Sequence, residues 1–425
     1  MAALTMAQKI LRSHAPESSS VETGSVVRAV PDLVLLNDVG APLIFRELER
    51  MGATEVVRPE RVVLVNDHFV PAPTLSGAHT VRLARELAGR WKVGRVFELG
   101  RDGGIEHAVI AEQGLIGPGE MLIGADSHTC TAGAFNAFGA GFGATDIAAT
   151  LALGWTWMRV PTSCRFEFHG RRRPFVTGKD LILTVLANTG SDGATYEAME
   201  FGGEGLLEFN PDERMALCNM AVEAGAKTGL VEADAVTEAW AKGRILRPYD
   251  LVRADPGADY RSTTHIDLGL LTPMVARPPA PADAVPIGLV EGSRVDQVYI
   301  GNCANGTLTD LRQAASLLQG RRIAAGIRAI VVPATQAIYR QALAEGLLST
   351  FAEAGFAISA PTCGACFGGH NGLLDEGETA VATTNRNFRG RMGHADSQVF
   401  LANSYVAAAA AVAGKLIDPA ELDQV

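Results

Sequence analysis

Three cysteines have a spacing that suits metal binding. Cys303 lies in the segment GNCANG directly after a predicted strand, and Cys363 and Cys366 form a CxxC pair in a second glycine-rich loop. A zinc ribbon needs another CxxC pair, which the other three cysteines do not form. Three thiolates without a fourth favour an iron–sulfur cluster with one open iron, and buried free thiols are the alternative. A redox dithiol at Cys363 and Cys366 would leave Cys303 unexplained.

Histidines with neighbouring carboxylates come directly after three predicted strands, at residues 61–65, 96–99 and 121–124. They are Asp67 with His68, Glu106 with His107, and Asp126 with Ser127 and His128. Ligands of open α/β sheets bind outside the carboxyl ends of the strands, so these positions suit chemistry. A carboxylate orients an imidazole and raises its pKa, as general acid–base catalysis requires. Beside an open iron acting as a Lewis acid, the set indicates dehydration or rehydration of a hydroxy acid.

A run of arginines and asparagines follows the strand predicted at 380–383. Its sequence is NRNFRGR, residues 385–391. The guanidinium fork of arginine binds carboxylates through two parallel hydrogen bonds. The segment therefore predicts either a carboxylate-binding loop or a solvated basic turn.

Short apolar runs alternate along the chain with segments of helical period. This pattern is typical of an α/β protein with largely parallel sheets. Besides the strands already given, it predicts strands at 295–300, 327–332 and 356–359, helices at 308–318 and 338–351, and a closely packed alanine-rich helix at 404–416. Gly139, Gly141 and Gly143 have GxGxG-like spacing, but no acidic residue follows at the distance a dinucleotide site requires. Close helix packing is therefore the interpretation we favour for these glycines.

Prolines crowd residues 273–286, a stretch with little helical or strand character. It predicts one domain boundary, and a second is predicted near Thr162. The resulting domains are 1–162, with the three histidine motifs, 163–285, ending in the proline-rich linker, and 286–425, with the cysteines and NRNFRGR.

The composition excludes several classes of protein. The 425 residues are 47% hydrophobic and 20% charged, with a formal net charge of −10. These fractions exclude a disordered tail, a fibre and a coiled coil, and the acidic balance argues against a nucleic-acid binder. The sequence shows no secretory signal and no apolar run long enough to span a bilayer. We therefore expect a cytoplasmic protein whose six cysteines are reduced.

Taken together, these motifs resemble the aconitase family, and within it the branch of 3-isopropylmalate dehydratase and homoaconitase large subunits. The similarity covers nearly the whole chain. Its motifs are the segments DSHT at 126–129, CNM at 218–220, GNCANG at 301–306, CGAC at 363–366 and NRNFRGR at 385–391. The order of these motifs makes the resemblance specific.

The resemblance implies a fold, a cofactor and roles for particular residues. The fold is three α/β domains around a central cleft, and the cofactor is a 4Fe–4S cluster ligated by Cys303, Cys363 and Cys366. The implied acid–base pairs are Asp67 with His68, Asp126 with His107, and Glu223 with His128. Asn219 and Asn385 match residues that hydrogen-bond near the cluster, and Arg386 and Arg391 match arginines that bind substrate carboxylates.

The resemblance also implies a partner and an activity. Single-chain aconitases have a fourth, swivelling domain that the sequence lacks, so a separate small subunit is expected to complete the site. The expected activity is that of an iron–sulfur hydro-lyase, isomerising 2-isopropylmalate to 3-isopropylmalate in leucine biosynthesis. Homocitrate or another alkylmalate is the alternative substrate. An RNA-binding regulator without the cluster is the alternative of a different class, against which the net charge of −10 argues.

Overall fold

The computed structural model describes residues 3–18 and 20–424. The strands, in chain order, are β1 (Val26–Ala29), β2 (Leu33–Asn37), β3 (Val62–Val65), β4 (Arg95–Phe97), β5 (Met121–Gly124), β6 (Phe138–Gly141), β7 (Thr156–Arg159), β8 (Ser163–His169), β9 (Ala198–Gly202), β10 (Thr228–Val231), β11 (Thr263–Asp267), β12 (Met274–Ala276), β13 (Ala284–Pro286), β14 (Gln297–Ile300), β15 (Arg328–Val331), β16 (Ala357–Ile358), β17 (Thr379–Ala382) and β18 (Gln398–Leu401).

The α-helices are α1 (Met6–His14), α2 (Ala41–Arg50), α3 (Leu75–Arg90), α4 (Glu106–Glu112), α5 (Ala144–Leu153), α6 (Gly178–Thr189), α7 (Pro211–Asn219), α8 (Ala235–Ala241), α9 (Leu308–Leu318), α10 (Gln336–Ala344), α11 (Leu347–Ala354) and α12 (Ser404–Ala413). Two 3-10 helices, Ser127–Phe135 and Gly364–Phe367, contain predicted site residues. None of the helices in the described part of the chain has both the length and the apolar character needed to cross a membrane.

The strands form three sheets in which most pairs are parallel, together with a small antiparallel pair of β1 and β7. The first sheet has the order β4-β3-β2-β5-β6 and the second β10-β9-β8-β11, and every pair in both is parallel. The third has the order β13-β12-β18-β17-β14-β15-β16, with antiparallel pairing at β12 only. The predicted α/β class with largely parallel sheets is confirmed.

Buried apolar runs make the central strands. Every residue of β2, β3 and β5 is buried, as expected for parallel strands covered on both faces. Helices next to the site begin at sequence-encoded caps. Capping boxes formed by Thr177 with Asp180 and by Thr307 with Asp310 start α6 and α9. The alanine-rich α12 lies almost entirely in the core, which confirms the predicted close packing of this helix.

The structure differs from the sequence predictions for one helix and one glycine. The helix expected at 338–351 is divided into α10 and α11, because Gly346 between them has φ of 76° and ends the helical run. Gly139 lies in strand β6, so helix packing was the wrong interpretation for it. A Cβ there would lie 2.2 Å from the Thr129 carbonyl oxygen, so the close approach is between a strand and a 3-10 helix.

The proline-rich stretch at 273–286 contains two strands, where the sequence indicated little strand character. Strands β12 and β13 pair with each other and, through β12, with β18 of the third sheet. Residues before 286 therefore contribute to the sheet that carries the cysteines. The ranges 1–162, 163–285 and 286–425 stay a prediction for the domain boundaries.

The contact between the 3-10 helix Ser127–Phe135 and strand β10 allows a direct test of the packing. A Cβ on Gly133 would lie 1.6 Å from the carbonyl oxygen of Gly229, whereas a Cβ on the exposed Gly89 in α3 would meet no atom within 4 Å. We expect Gly133→Ala to lower the free energy of unfolding by about 1–3 kcal/mol, because the helix must move off the strand. Gly89→Ala should raise it by about 0.5–1 kcal/mol. Urea denaturation of both variants measures the difference, and equal midpoints would contradict this packing.

Candidate active site

The carboxyl ends of β2, β3 and β5 meet at one edge of the first sheet. Asp38 follows β2, Asp67 and His68 follow β3, and Asp126 follows β5. Because these strands are parallel neighbours, their polar ends lie together. His107 reaches the same edge from helix α4.

Asp38 fixes the backbone that carries the first acid–base pair. Its carboxylate accepts hydrogen bonds from the backbone N–H groups of Asp67 (3.2 Å), His68 (3.0 Å) and Phe69 (2.8 Å). The side chain is completely buried, and burial together with the charge of Asp67 raises its pKa. Sequence patterns assigned no role to Asp38, although its position directly after a buried strand was a usable signal.

His68 forms a short contact with its neighbour in the sequence. Its Nδ1 lies 2.6 Å from Oδ1 of Asp67. Burial acts to lower the pKa of His68, but the charge and hydrogen bond of Asp67, with the charge of Asp38, outweigh it and raise the pKa above its ordinary value. The imidazole is therefore held as a cation with a proton to give.

The two other implied pairs also meet in the structure. His107 Nε2 lies 3.1 Å from Asp126 Oδ1, and His128 Nε2 lies 3.0 Å from Glu223 Oε1. Asp126 additionally accepts a hydrogen bond from the His128 N–H at 2.7 Å, so one carboxylate caps the 3-10 helix that begins at Ser127 and orients a histidine. Burial works against the charge of Asp126, but hydrogen bonds from both histidines hold its pKa well below the usual range.

The predicted arginines take different positions. Arg386 donates from Nε to Oε1 of Glu223 at 2.7 Å, an ion pair that the sequence did not indicate. Despite burial, His128 and then Arg386 lower the pKa of Glu223, which is thus an anion between two cations. Nε of Arg391 is buried and has no hydrogen-bond partner among the described residues.

The three predicted cysteine ligands influence one another: Cys363 and Cys366 share a hydrogen bond, and the charge of Cys366 acts on Cys303. None is in a disulfide, and Cys303 and Cys366 are 7% and 4% exposed. The Nδ2 atoms of Asn219 and Asn385 lie 3.2 Å and 3.4 Å from Cys303 Sγ, and both amides donate to it. Such N–H donors stabilise a thiolate ligand. Asn219 and Asn385 thus both lie beside Cys303, and their position near a cluster stays a prediction.

The CxxC loop is attached to the first acid–base pair. The backbone N–H of Cys363 donates to the carbonyl of Asp67 at 2.9 Å, and Thr362 Oγ1 donates to the same oxygen at 3.1 Å. A hydrogen bond from Cys363, helped by the charge of Arg391, lowers the pKa of Cys366 against the effect of burial. The thiolate form of Cys366 is thereby favoured, in the loop that contacts the Asp67–His68 pair.

The donor set fits a polynuclear cluster better than a single ion. Within residues 3–18 and 20–424, the structure contains two groups of residues that could hold a single metal ion. In each group the three ligand atoms lie within 4.8 Å of one another, and neither group includes a cysteine. The three sulfurs are therefore not gathered as closely as the ligands of one ion. Soft, disulfide-free sulfur donors on two loops, two of them buried and one half-buried, suit an iron–sulfur cluster.

Two further residues beside the cysteines were given no role by the sequence patterns. The buried ammonium of Lys179 donates to Asn305 Oδ1 (3.2 Å) and to the carbonyls of Thr383 (3.0 Å) and Thr384 (2.7 Å), so it joins the loop of Cys303 to that of Asn385. Burial lowers the pKa of Lys179 to about 8. A lone lysine at a helix start carries no pattern that would predict such contacts.

Phe367 is the second. Its ring meets the ring of His68 edge-on, with 4.9 Å between centroids, and contacts Phe69 in the same way at 5.4 Å. The ring also covers Gly369, where a Cβ would lie 1.9 Å from Cζ of Phe367. Phe367 thus forms an apolar wall beside the first acid–base pair.

Comparison with known proteins accounts for this arrangement. The family model of the aconitase family (aconitate hydratase) matches residues 8–414. The chain belongs to the aconitase family. It is 50% identical to 3-isopropylmalate dehydratase large subunit 2 of Rubrobacter xylanophilus over 419 residues, which cover 98% of each chain. It is 47% identical to the 3-isopropylmalate dehydratase large subunit of Heliobacterium modesticaldum, with 99% of this chain and 100% of that protein covered.

Among solved structures, the fold is similar to that of the holo form of Thermococcus kodakaraensis aconitase X. The TM-score is 0.51 and the sequences are 12% identical, with 93% of this chain and 97% of that one covered. At this identity the likeness concerns the fold alone. It confirms the predicted aconitase-like architecture.

The contacts of Asp38 generate a prediction about the stability of the site. We expect Asp38→Ala to lower the free energy of unfolding by at least about 3 kcal/mol, because three buried N–H groups are left without an acceptor and each costs about 1–3 kcal/mol. Asp38→Asn keeps one acceptor oxygen and should lose less. Urea denaturation checks the order wild type, Asn, Ala. An alanine variant as stable as the wild type would show that the three N–H groups do not depend on Asp38.

Proposed function

We propose that this chain is the large, catalytic subunit of an iron–sulfur hydro-lyase that converts 2-isopropylmalate to 3-isopropylmalate by dehydration and rehydration. The observation that carries the proposal is the backbone hydrogen bond of 2.9 Å from Cys363 to Asp67, which fixes the cysteine loop against an acid–base pair. The names of the relatives supply the substrate class. Aconitase family enzymes catalyse this type of reaction on hydroxy acids.

Cys303, Cys363 and Cys366 would hold a 4Fe–4S cluster. When bound, such a cluster supplies a Lewis acid that polarises the hydroxyl and a carboxylate of the substrate. The amide groups of Asn219 and Asn385 donate toward the sulfur of Cys303 and keep it oriented.

The protein's own side chains handle protons and bind the substrate. His68, held as a cation by Asp67, is the group that protonates the departing hydroxyl. His107 and His128 share the carboxylate of Asp126, which keeps both rings oriented toward the same edge of the sheet. The proton at the substrate carbon is removed by a base outside this chain.

Two arginines complete the proposed substrate site, and a serine belongs to the proposed catalytic set. Arg386, fixed by its ion pair with Glu223, and Arg391, whose Nε has no partner among the described residues, bind the substrate carboxylates. Ser127 is the first residue of the 3-10 helix that Asp126 caps, directly before His128.

The names of the relatives also support a partner. They are called large subunits, and we propose that a separate small subunit carries the swivelling domain and the base. The cysteines, none of them in a disulfide, support a reducing compartment, which we propose is the cytoplasm.

Iron retention tests the ligand assignment. After anaerobic reconstitution we expect Cys366→Ser to lose the bound iron, because it removes one of three ligands. Cys164→Ser is the matched control, since Cys164 is also buried but lies in β8, where its Sγ contacts the carbonyl of Ala198. Iron and sulfide analysis with visible absorption measures the difference. Equal iron content in the two variants would overturn the assignment.

Turnover tests the substrate. The reconstituted chain, mixed with its small subunit, is assayed against 2-isopropylmalate, homocitrate, citrate and a bulkier alkylmalate. We expect the highest kcat/KM for 2-isopropylmalate and little or no activity without the small subunit. A preference for homocitrate or for the bulkier malate would replace the substrate while leaving the reaction type in place.

A further inference from the structure

Glu106 is a buried carboxyl group that the proposed reaction does not use. It is 1% exposed and begins helix α4, next to His107. Its Oε1 accepts a hydrogen bond from Nδ2 of Asn37 at 3.0 Å, and its backbone N–H donates to Asp67 Oδ2 at 2.8 Å. Its Oε2 is buried and has no partner among the described residues. A carboxylate in this position would have half of its charge uncompensated.

The surroundings of Glu106 are crowded with negative groups. Ligand-type atoms of His68, Glu106 and Asp126 all lie within 4.8 Å of one another, and Asp67 contacts the Glu106 backbone. His107 Nε2 is 3.9 Å from Glu106 Oε1, but its closer partner is Asp126 at 3.1 Å. The two imidazoles therefore each have a closer carboxylate partner than Glu106, whereas the Glu106 carboxyl accepts a hydrogen bond from the neutral amide of Asn37.

Neighbouring buried carboxyl groups at such distances do not all ionise, because each charge raises the cost of the next. Asp126 has two imidazole partners, whereas Glu106 has one neutral amide. The proton therefore belongs on Glu106. Burial, followed by the charges of Asp67 and Asp126, raises the pKa of Glu106 well above its usual value.

We propose that Glu106 is a neutral carboxylic acid in the folded protein at neutral pH, with its proton on Oε2, and that it lies beside both the Asp67–His68 pair and the Asp126–His107 pair without adding charge. Glu106 is then a positioning residue. The consequence of this neutrality rests on the proposed function. A further carboxylate would repel a dianionic hydroxy acid, so a neutral Glu106 favours binding of the substrate.

The test compares the same substitution at two buried glutamates, of which Glu106 is expected to be neutral and Glu223 to be an anion. Glu106→Gln keeps a neutral donor and an acceptor, so we expect it to raise the melting temperature at pH 8. Glu223→Gln removes the anion between His128 and Arg386 and should lower it. Both variants are measured as the cysteine-reduced chain without substrate, so the outcome is independent of cluster loading and of substrate identity.

The two variants should also differ in how their stability depends on pH. A carboxyl whose pKa is raised on folding binds a proton that the unfolded chain releases above its ordinary pKa, so its contribution to stability falls as pH rises. The advantage of Glu106→Gln over the wild type should therefore grow from pH 5 to pH 8. For Glu223, whose pKa is lowered on folding, the deficit of the glutamine variant should shrink as pH falls below 5. His68, Asp67, Asp126 and His107 are the titratable groups that face Glu106, and all are retained in its glutamine variant.

Infrared spectroscopy reads the proton directly. The wild-type chain at neutral pH should show the C=O stretch of a protonated carboxyl group in a buried environment, and Glu106→Gln should lose that component while Glu223→Gln keeps it. A melting temperature of Glu106→Gln below that of the wild type, a gap that stays constant with pH, or an unchanged infrared band would each overturn the proposal. Failure of the isopropylmalate assay would leave it standing.

Discussion

The site depends on hydrogen bonds between loops of the first and third sheets, a contact that we call the seam. The seam consists of the bonds from Cys363 N–H to the Asp67 carbonyl (2.9 Å), from Ile105 N–H to the Ala334 carbonyl (2.8 Å) and from Gln336 N–H to the Gly103 carbonyl (2.8 Å). The histidines lie on one side of the seam and the cysteines on the other. The proposed catalysis by both sets of groups therefore requires that these backbone bonds hold.

Charge is balanced within the site by pairing and by neutralisation. His68 has Asp67, and His128 and Arg386 share Glu223, so buried cations and anions compensate one another. Asp38 is instead surrounded by backbone N–H groups, which spread its charge over a turn. Breaking one member of such a set leaves a buried charge unpaired, so most single substitutions here should affect folding as well as catalysis.

Sequence patterns predicted the parts of the site that are local or carry a motif. Strand ends such as that before Asp67 were found because an apolar run stops at polar residues, and Cys363 and Cys366 were found from their spacing. The roles of Lys179 and Asp38 were missed because their partners are far along the chain or are backbone atoms. The ion pair of Arg386 with Glu223 joins residues 163 positions apart, a contact that no local pattern encodes. The split of one predicted helix followed from a single glycine.

Phe367 and Gly369 show how a residue without a side chain can still control the surroundings of an imidazole. The ring of Phe367 occupies the space where any side chain at position 369 would have to begin, so a methyl group there would displace the ring. The same ring contacts His68, so its displacement would uncover that face of the imidazole. The missing side chain at position 369 therefore helps to keep water away from His68.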